Sequence, residues 1–171
     1  MKLLAVPYIP QFRPHACGAA VLEMIYKFYG VEEVSQPDIM KKYEEPELEG
    51  STNTMIATGN LVQDATGKNF VSFWGQVNYQ NTEHAVGPLK LFINEMCIPL
   101  IVCQQFTEER PKLGHFRIVL GIDDDTVCLH DPDPQTGGKN LSWPISKFMK
   151  FWQPTGKNVT GGVFVFISNI K

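Results

Sequence analysis

The stretch from Gln11 to Gly30, QFRPHACGAAVLEMIYKFYG, constrains this chain more than any other. Pro14 makes Gln11–Ala16 an irregular approach. From Cys17 to Tyr29 the apolar residues Val21, Leu22, Ile25, Phe28 and Tyr29 recur at the helical period and predict a helix. Gly30 suits the residue after a helix, where φ turns positive. Cys17 then stands at the helix start, where unpaired N–H groups and the positive dipole end favour a thiolate. Gly18, Ala19 and Ala20 add little bulk beside the sulfur. The Gln11 amide reaches the same place if the approach folds back. A nucleophile beside an amide donor is half of an acyl-transfer site. The competing reading is a small buried hydrophobe, the common fate of an intracellular cysteine. A base and an orienting acid with matching geometry would decide between them.

The second informative stretch is Gly114–Asp131, GHFRIVLGIDDDTVCLHD, which reads as strand, turn and strand. Phe116, Ile118, Leu120 and Ile122 share one face; His115, Arg117, Val119 and Gly121 share the other. If the loop is Asp123–Asp125, Arg117 faces Asp131, and Asp131 lies on the face of His115 at the diagonal position. A two-residue loop would turn Asp131 to the opposite face. The pairing therefore requires a three-residue turn or a bulge. In that register Cys17, His115 and Asp131 make a nucleophile, base and orienter. His115 would take the thiol proton, giving an ion pair poised near neutral pH, and Asp131 would fix the tautomer. Gln11 and the Cys17 N–H would donate to the oxyanion. Asp133 is the substitute orienter in another register. His15 either tunes Cys17 or is an exposed loop residue, and His130 reads as structural. None of these residues shows a familiar zinc spacing, and Asp123–Asp125 lack a calcium-loop pattern, so no metal or cofactor is expected.

The rest of the chain supplies a scaffold. Ser35 predicts the cap of a second helix, with Pro37 in its first turn. The acidic stretch Glu44–Glu49 reads as solvated surface, and Ser51–Ala65 as a third helix ended by Gly67. Phe70–Val77 predicts a strand whose aromatics Phe70, Phe73 and Trp74, with Tyr79, read as core rather than a peptide groove. Leu89, Phe92, Ile93 and Met96 predict a helix opened by Gly87 and Pro88. Pro99–Cys103 reads as a central strand, Gln104–Gly114 as a polar loop over a cleft edge, and Asp133–Asn140 as a surface loop. Ile145–Trp152 predicts a helix capped by Ser142, and Gly162–Ser168 a last strand. The expected architecture is α+β: a helical first half packed on a mostly antiparallel sheet, with the cleft between them.

Bulk properties narrow the function. At 171 residues the chain is expected to form one domain, 1–171. A net charge of −3 without a basic run argues against nucleic acid as partner. No apolar run approaches the ~20 residues of a membrane span, and MKLLAVPYIP is not a signal peptide. Four cysteines are too few for a disulfide framework; Cys97, Cys103 and Cys128 read as buried free thiols, and a reducing, cytoplasmic setting is expected.

At these residues the sequence resembles the papain-like cysteine peptidases of the C39 family, the bacteriocin leader peptidases usually fused to ABC exporters, and their C39-like relatives. A glutamine six positions before a cysteine, the text CGAAVLEMIYKFYG, the strand GHFRIVLG and the following HDP carry the resemblance, within Val6–Gly30 and Gly114–Pro132. It implies a papain-like fold and a peptidase that cleaves a peptide or amide bond through an acyl-enzyme thioester. Gln11 maps to the oxyanion hole, Cys17 to the nucleophile, His115 to the general base and acid, and Asp131 to the orienter. The implied partner is a peptide or protein substrate. Ala16 stands where leader peptidases commonly carry an acidic residue, and no transporter segment is present. The implication therefore stops at fold and acyl transfer and does not extend to cleavage after a double glycine. Two alternatives stay open: a non-catalytic peptide-binding module, and a papain-like transferase that passes the acyl group to an amine.

Overall fold

The apolar runs of the second half pair into one antiparallel sheet. A computed structural model describes residues 1–43 and 58–169. In chain order the elements are α1 (Cys17–Phe28), α2 (Gln36–Tyr43), α3 (Thr58–Gly67), β1 (Phe70–Gly75), α4 (Thr82–Lys90), β2 (Leu100–Thr107), β3 (Arg110–Ile122), β4 (Thr126–His130), β5 (Leu141–Pro144), α5 (Ile145–Trp152) and β6 (Val163–Ser168). The strands lie in the order β1-β6-β2-β3-β4-β5, every pair antiparallel.

Helix α1 is buried on all sides from Cys17 to Tyr26, where the sequence predicted a single apolar face. It is enclosed because it packs on β3 and is covered by α2 and α3. Gly18, Ala19 and Ala20 are small enough to be buried with it. Gly30 has φ +81°, the conformation expected of it after the helix. The Asp64 carboxylate of α3 ties the helical layer together. It accepts from Tyr26 Oη at 2.6 Å, Lys42 Nζ at 2.9 Å and Tyr43 Oη at 3.0 Å. Ser35 caps α2 as predicted, its Oγ accepting from the Asp38 N–H at 3.4 Å. The acidic stretch Glu44–Glu49 and the first part of the expected third helix lie outside the described residues.

Five expectations are corrected. Gln104–Gly114 is not a loop: β2 and β3 stay paired to Thr107↔Arg110 around a two-residue turn. Polarity there signals buried hydrogen bonding, since Gln104 and Gln105 are both buried. The helix placed after Gly87 begins at Thr82, with Asn81 Oδ1 accepting from the His84 N–H at 3.0 Å. Pro88 lies inside it, and the chain continues as a π-helical turn over Leu91–Glu95. Ser142 does not cap α5; it pairs with Cys128 in β5, and Pro144 stands at the helix start. Cys97 is exposed, at φ +56°, whereas Cys103 and Cys128 are buried; all four cysteines are free. Phe70 is core, but Phe73 and Trp74 are each 44% exposed. Among the described residues no helix is long and apolar enough to cross a membrane.

Candidate active site

The β3–β4 register decides whether His115 and Asp131 meet. Asp123 Oδ1 accepts from the N–H groups of Asp125 at 3.0 Å and Thr126 at 2.8 Å, which widens the turn so that Ile122 pairs with Val127. Left alone, that wider turn would carry Asp131 to the wrong face. A bulge between Val119 and Gly121 takes the extra residue back and sets Ile118 opposite His130. The next position along β3 is Arg117, facing Asp131. The required bulge is therefore present, with the turn one residue longer than the three-residue alternative.

Asp131 is surrounded by donors. Its Oδ1 lies 2.6 Å from His115 Nε2 and accepts from the Asp133 N–H at 2.9 Å. Its Oδ2 accepts from Arg117 Nε at 2.8 Å and from Thr136 Oγ1 at 2.8 Å. A carboxylate only accepts, so His115 Nε2 carries the proton and Nδ1 is the basic nitrogen of the neutral ring. The Phe106 ring lies 4.9 Å from the imidazole, centroid to centroid.

Strand β4 ends at His130, leaving the neighbouring stretch of β3 open to the start of α1. There Cys17 meets backbone hydrogen bonds from Phe116, the residue after His115, and from Gly18. The N-terminal arm brings Gln11 to the same place. Leu4 N–H donates to Leu120 O at 3.0 Å, His130 Nε2 meets Val6 O at 3.1 Å, and Gln11 N–H donates to Pro132 O at 2.8 Å. Buried Gln36 clasps the arm from α2, donating to Pro10 O at 2.9 Å and accepting from Phe12 N–H at 3.0 Å. One cleft of about 510 Å³ is lined by Gln11, Cys17 and His115 together, with Phe106, Arg110 and Asp133 among its walls. Gln11 Oε1 is buried without a hydrogen-bond partner among the described residues.

The profile of the Peptidase_C39 like family matches residues 3–160. The chain belongs to that family. No curated protein sequence matches it significantly. Among solved structures, the peptidase domain of Streptococcus ComA, a bifunctional ABC transporter involved in a quorum-sensing pathway, is 20% identical, with TM-score 0.67 over 96% of this chain and 99% of that one. A double-glycine-motif protease from an AMS/PCAT transporter, in complex with the leader peptide, is 18% identical, with TM-score 0.65 over 96% and 92% of the two chains. A C39-like protein of Bacillus anthracis is 15% identical, with TM-score 0.71 over 100% of both. The α+β fold is that of the papain-like C39 peptidases.

In this C39-like protein burial dominates the electrostatics of Cys17 and His115. Cys17 is 3% exposed, and burial pushes its thiol up to about 11, against the backbone hydrogen bonds from Phe116 and Gly18. Burial, then the Arg117 charge, holds His115 below the ordinary imidazole range, with Asp131 opposing both. The helix start and the hydrogen bonds from Phe116 and Gly18 do not offset the water that Cys17 has lost. Burial also pushes Asp131 up, but the hydrogen bond and charge of His115, the charge of Arg117 and the Asp133 N–H outweigh it. Its carboxyl stays well below the usual range.

The other candidates occupy different places, and both Asp133 and His15 line the cleft. Asp133 supplies its backbone N–H to Asp131, and its own Oδ1 accepts from the Gln135 N–H at 2.9 Å. His130 is structural, as expected: its Nδ1 accepts from the Asn140 N–H at 3.2 Å, so Nε2 donates to Val6 O. His15 lines the cleft at φ +66°. Among the described residues no group of three or more His, Cys, Asp or Glu could hold a metal ion. Sequence reasoning assigned no role to Arg117, although it placed the residue on the face of His115. Gln36 and Thr136 carry no signal in the sequence, since each acts through the backbone or carboxylate that the fold brings to it.

Proposed function

We propose that this C39-like protein is a cysteine peptidase that cleaves a peptide or amide bond through an acyl-enzyme thioester. The observation that carries the reading is the His115 Nε2···Asp131 Oδ1 bond of 2.6 Å, beside a cleft that Cys17 and Gln11 also line. With Nε2–H held by Asp131, the His115 Nδ1 accepts the Cys17 proton as the sulfur attacks the carbonyl carbon. The oxyanion is met by the Cys17 N–H, which has no partner inside the first helical turn, and by the Gln11 amide. Rotation of that amide exchanges its O and N, so the NH2 group can face the cleft. Nδ1–H then protonates the leaving amine, and the C–N bond breaks. Water, deprotonated by Nδ1, attacks the thioester carbon; the C–S bond breaks, the carboxylic acid leaves, and the sulfur takes the proton back from Nδ1.

A second reading, a peptide-binding module without catalysis, is favoured by one observation: Cys17 is buried, which pushes its thiol up to about 11. The complete set of groups around that thiol favours the enzyme. Incubation with a diverse peptide library, read by mass spectrometry, tests the choice. New termini are expected with the wild-type protein and none with Cys17→Ala. Equal cleavage by both, or peptide binding without any cleavage, would overturn the peptidase.

A further inference from the structure

Arg117 is the most unusual group near the site. It is 1% exposed, and its donors are committed in three directions. Nε donates to Asp131 Oδ2 at 2.8 Å; Nη1 donates to Gln105 O at 3.1 Å and Gln104 Oε1 at 3.4 Å; Nη2 donates to Phe106 O at 2.9 Å. Its central carbon lies 4.9 Å from the Trp143 ring centroid and 5.9 Å from that of Phe151. The guanidinium cannot swing without breaking several bonds at once. The same frame binds the backbone of Phe106, whose ring covers His115.

We propose that Arg117 is a positioning residue: it locks the Asp131 carboxylate edge-on to His115 and supplies a fixed positive charge that keeps the imidazole neutral until substrate arrives. The inference rests on the reading of Cys17, His115 and Asp131 as a catalytic set. Its physical basis is a row of three groups. Asp131 sits between Arg117 on one oxygen and His115 on the other. The carboxylate charge is already matched by a guanidinium, so a second cation at His115 gains less from it. Thr136 on the shared Oδ2 adds orientation without charge.

Other charged or titratable groups that line the cleft with His115 are Cys17 from α1, Asp133 from the loop after β4, Arg13 and His15 from the approach, and Arg110 from the start of β3. Strand β2 contributes the uncharged Phe106. Arg117 also attracts a thiolate at Cys17, which opposes its effect on the imidazole. The imidazole effect dominates because the guanidinium shares a carboxylate with His115.

The test is the pH profile of Cys17 alkylation by iodoacetamide, read by peptide mass spectrometry between about pH 5 and 9. It needs no substrate. Removing the cation in Arg117→Gln frees Asp131 to stabilise the imidazolium–thiolate pair. The profile is expected to shift toward lower pH, with Cys17 modified about tenfold faster at pH 6 than in the wild type. Arg117→Lys keeps the charge and is expected to leave the profile near that of the wild type. An unchanged profile in Arg117→Gln, or an equal shift in Arg117→Lys, would overturn the proposal. Should Arg117→Gln not fold, the His115 ring nitrogens of the wild-type protein are read by 15N NMR. A neutral ring protonated at Nε2 near pH 7 supports the inference, and an imidazolium there overturns it. Failure of the peptidase reading shows separately, as absent Cys17-dependent cleavage, whatever the alkylation profile does.

Discussion

Gly114→Ala probes how the fold places His115. Gly114 precedes the histidine, and a Cβ built there would lie 1.9 Å from Asn158 O and 2.8 Å from its carbonyl carbon. Both obstacles are backbone, so the strand and the Asn158 segment must separate by about 1 Å. Neither side yields easily. Asn158 O accepts from Cys103 Sγ at 3.5 Å, Val159 is buried, and Gly162 O accepts from the Cys103 N–H at 2.9 Å. Overpacking of this kind costs roughly 1–3 kcal/mol, or about 2–12 °C in Tm at this chain length. A shift of about 1 Å at a catalytic group can also cost ~100-fold in rate. Calorimetry and cleavage kinetics on Gly114→Ala should show both losses. Gly59→Ala is the control: Gly59 is exposed in α3, with nothing among the described residues within 4 Å of an added Cβ, and helix propensity favours alanine there by up to about 1 kcal/mol. If Gly114→Ala melted at the wild-type temperature and kept full activity, close packing against Asn158 could not be what fixes His115.

Gln36→Ala removes both bonds that clasp the approach to Cys17 and leaves the Phe12 N–H and Pro10 O without their partner. A loss of about 2–4 kcal/mol is expected in chemical denaturation, and a loss within experimental error would mean the clasp is ornamental. Asp64, like Asp131, is held below the usual carboxylate range, because hydrogen bonds from Tyr26, Lys42 and Tyr43 and the Lys68 charge outweigh its burial. A depressed folded value makes the stability complete above the unfolded value of about 3.9 and lost as pH falls below it. Tm should therefore drop steeply below about pH 4. Asp64→Asn should flatten part of that drop, and an unchanged acid slope in the variant would contradict the assignment. His115 and His130, both lowered chiefly by burial, should add a gentler decline below about pH 6.5. Because Cys97 is exposed and Cys17 buried, a small generic alkylator at neutral pH should modify Cys97 first, contrary to a simple ranking by helix position. Peptide mapping of a short iodoacetamide pulse reads the order directly; Cys17 reacting first would mean that its thiolate is present at rest.

Local signals carried far in this chain. The helix after Cys17, its end at Gly30 and the strand at Gly162–Ser168 follow from periodicity and backbone freedom. The meeting of His115 with Asp131 was legible only as a condition, because one residue more or less in the turn reverses the face. Asp123 and the bulge before Gly121 meet it, and neither effect can be weighed without the sheet. Gln104–Gly114 misled because polar residues usually mark solvent. Here Gln104 and Gln105 are buried around Arg117, whose hydrogen-bond partners come from two separate segments, Gln104–Phe106 and Asp131. The burial of Cys17 was not legible for a related reason: a helix start is visible in a sequence, whereas burial of its first residue depends on what the fold packs around it.

The most direct measurement is stoichiometric labelling with an epoxysuccinyl peptide, an electrophile that needs an activated thiol and a nearby proton donor. Intact mass and peptide mapping would locate the adduct. The account predicts one adduct, on Cys17, that disappears in a folded His115→Ala variant while exposed Cys97 stays unlabelled in both. Labelling of Cys17 that persists undiminished without His115, or labelling confined to Cys97, would contradict it.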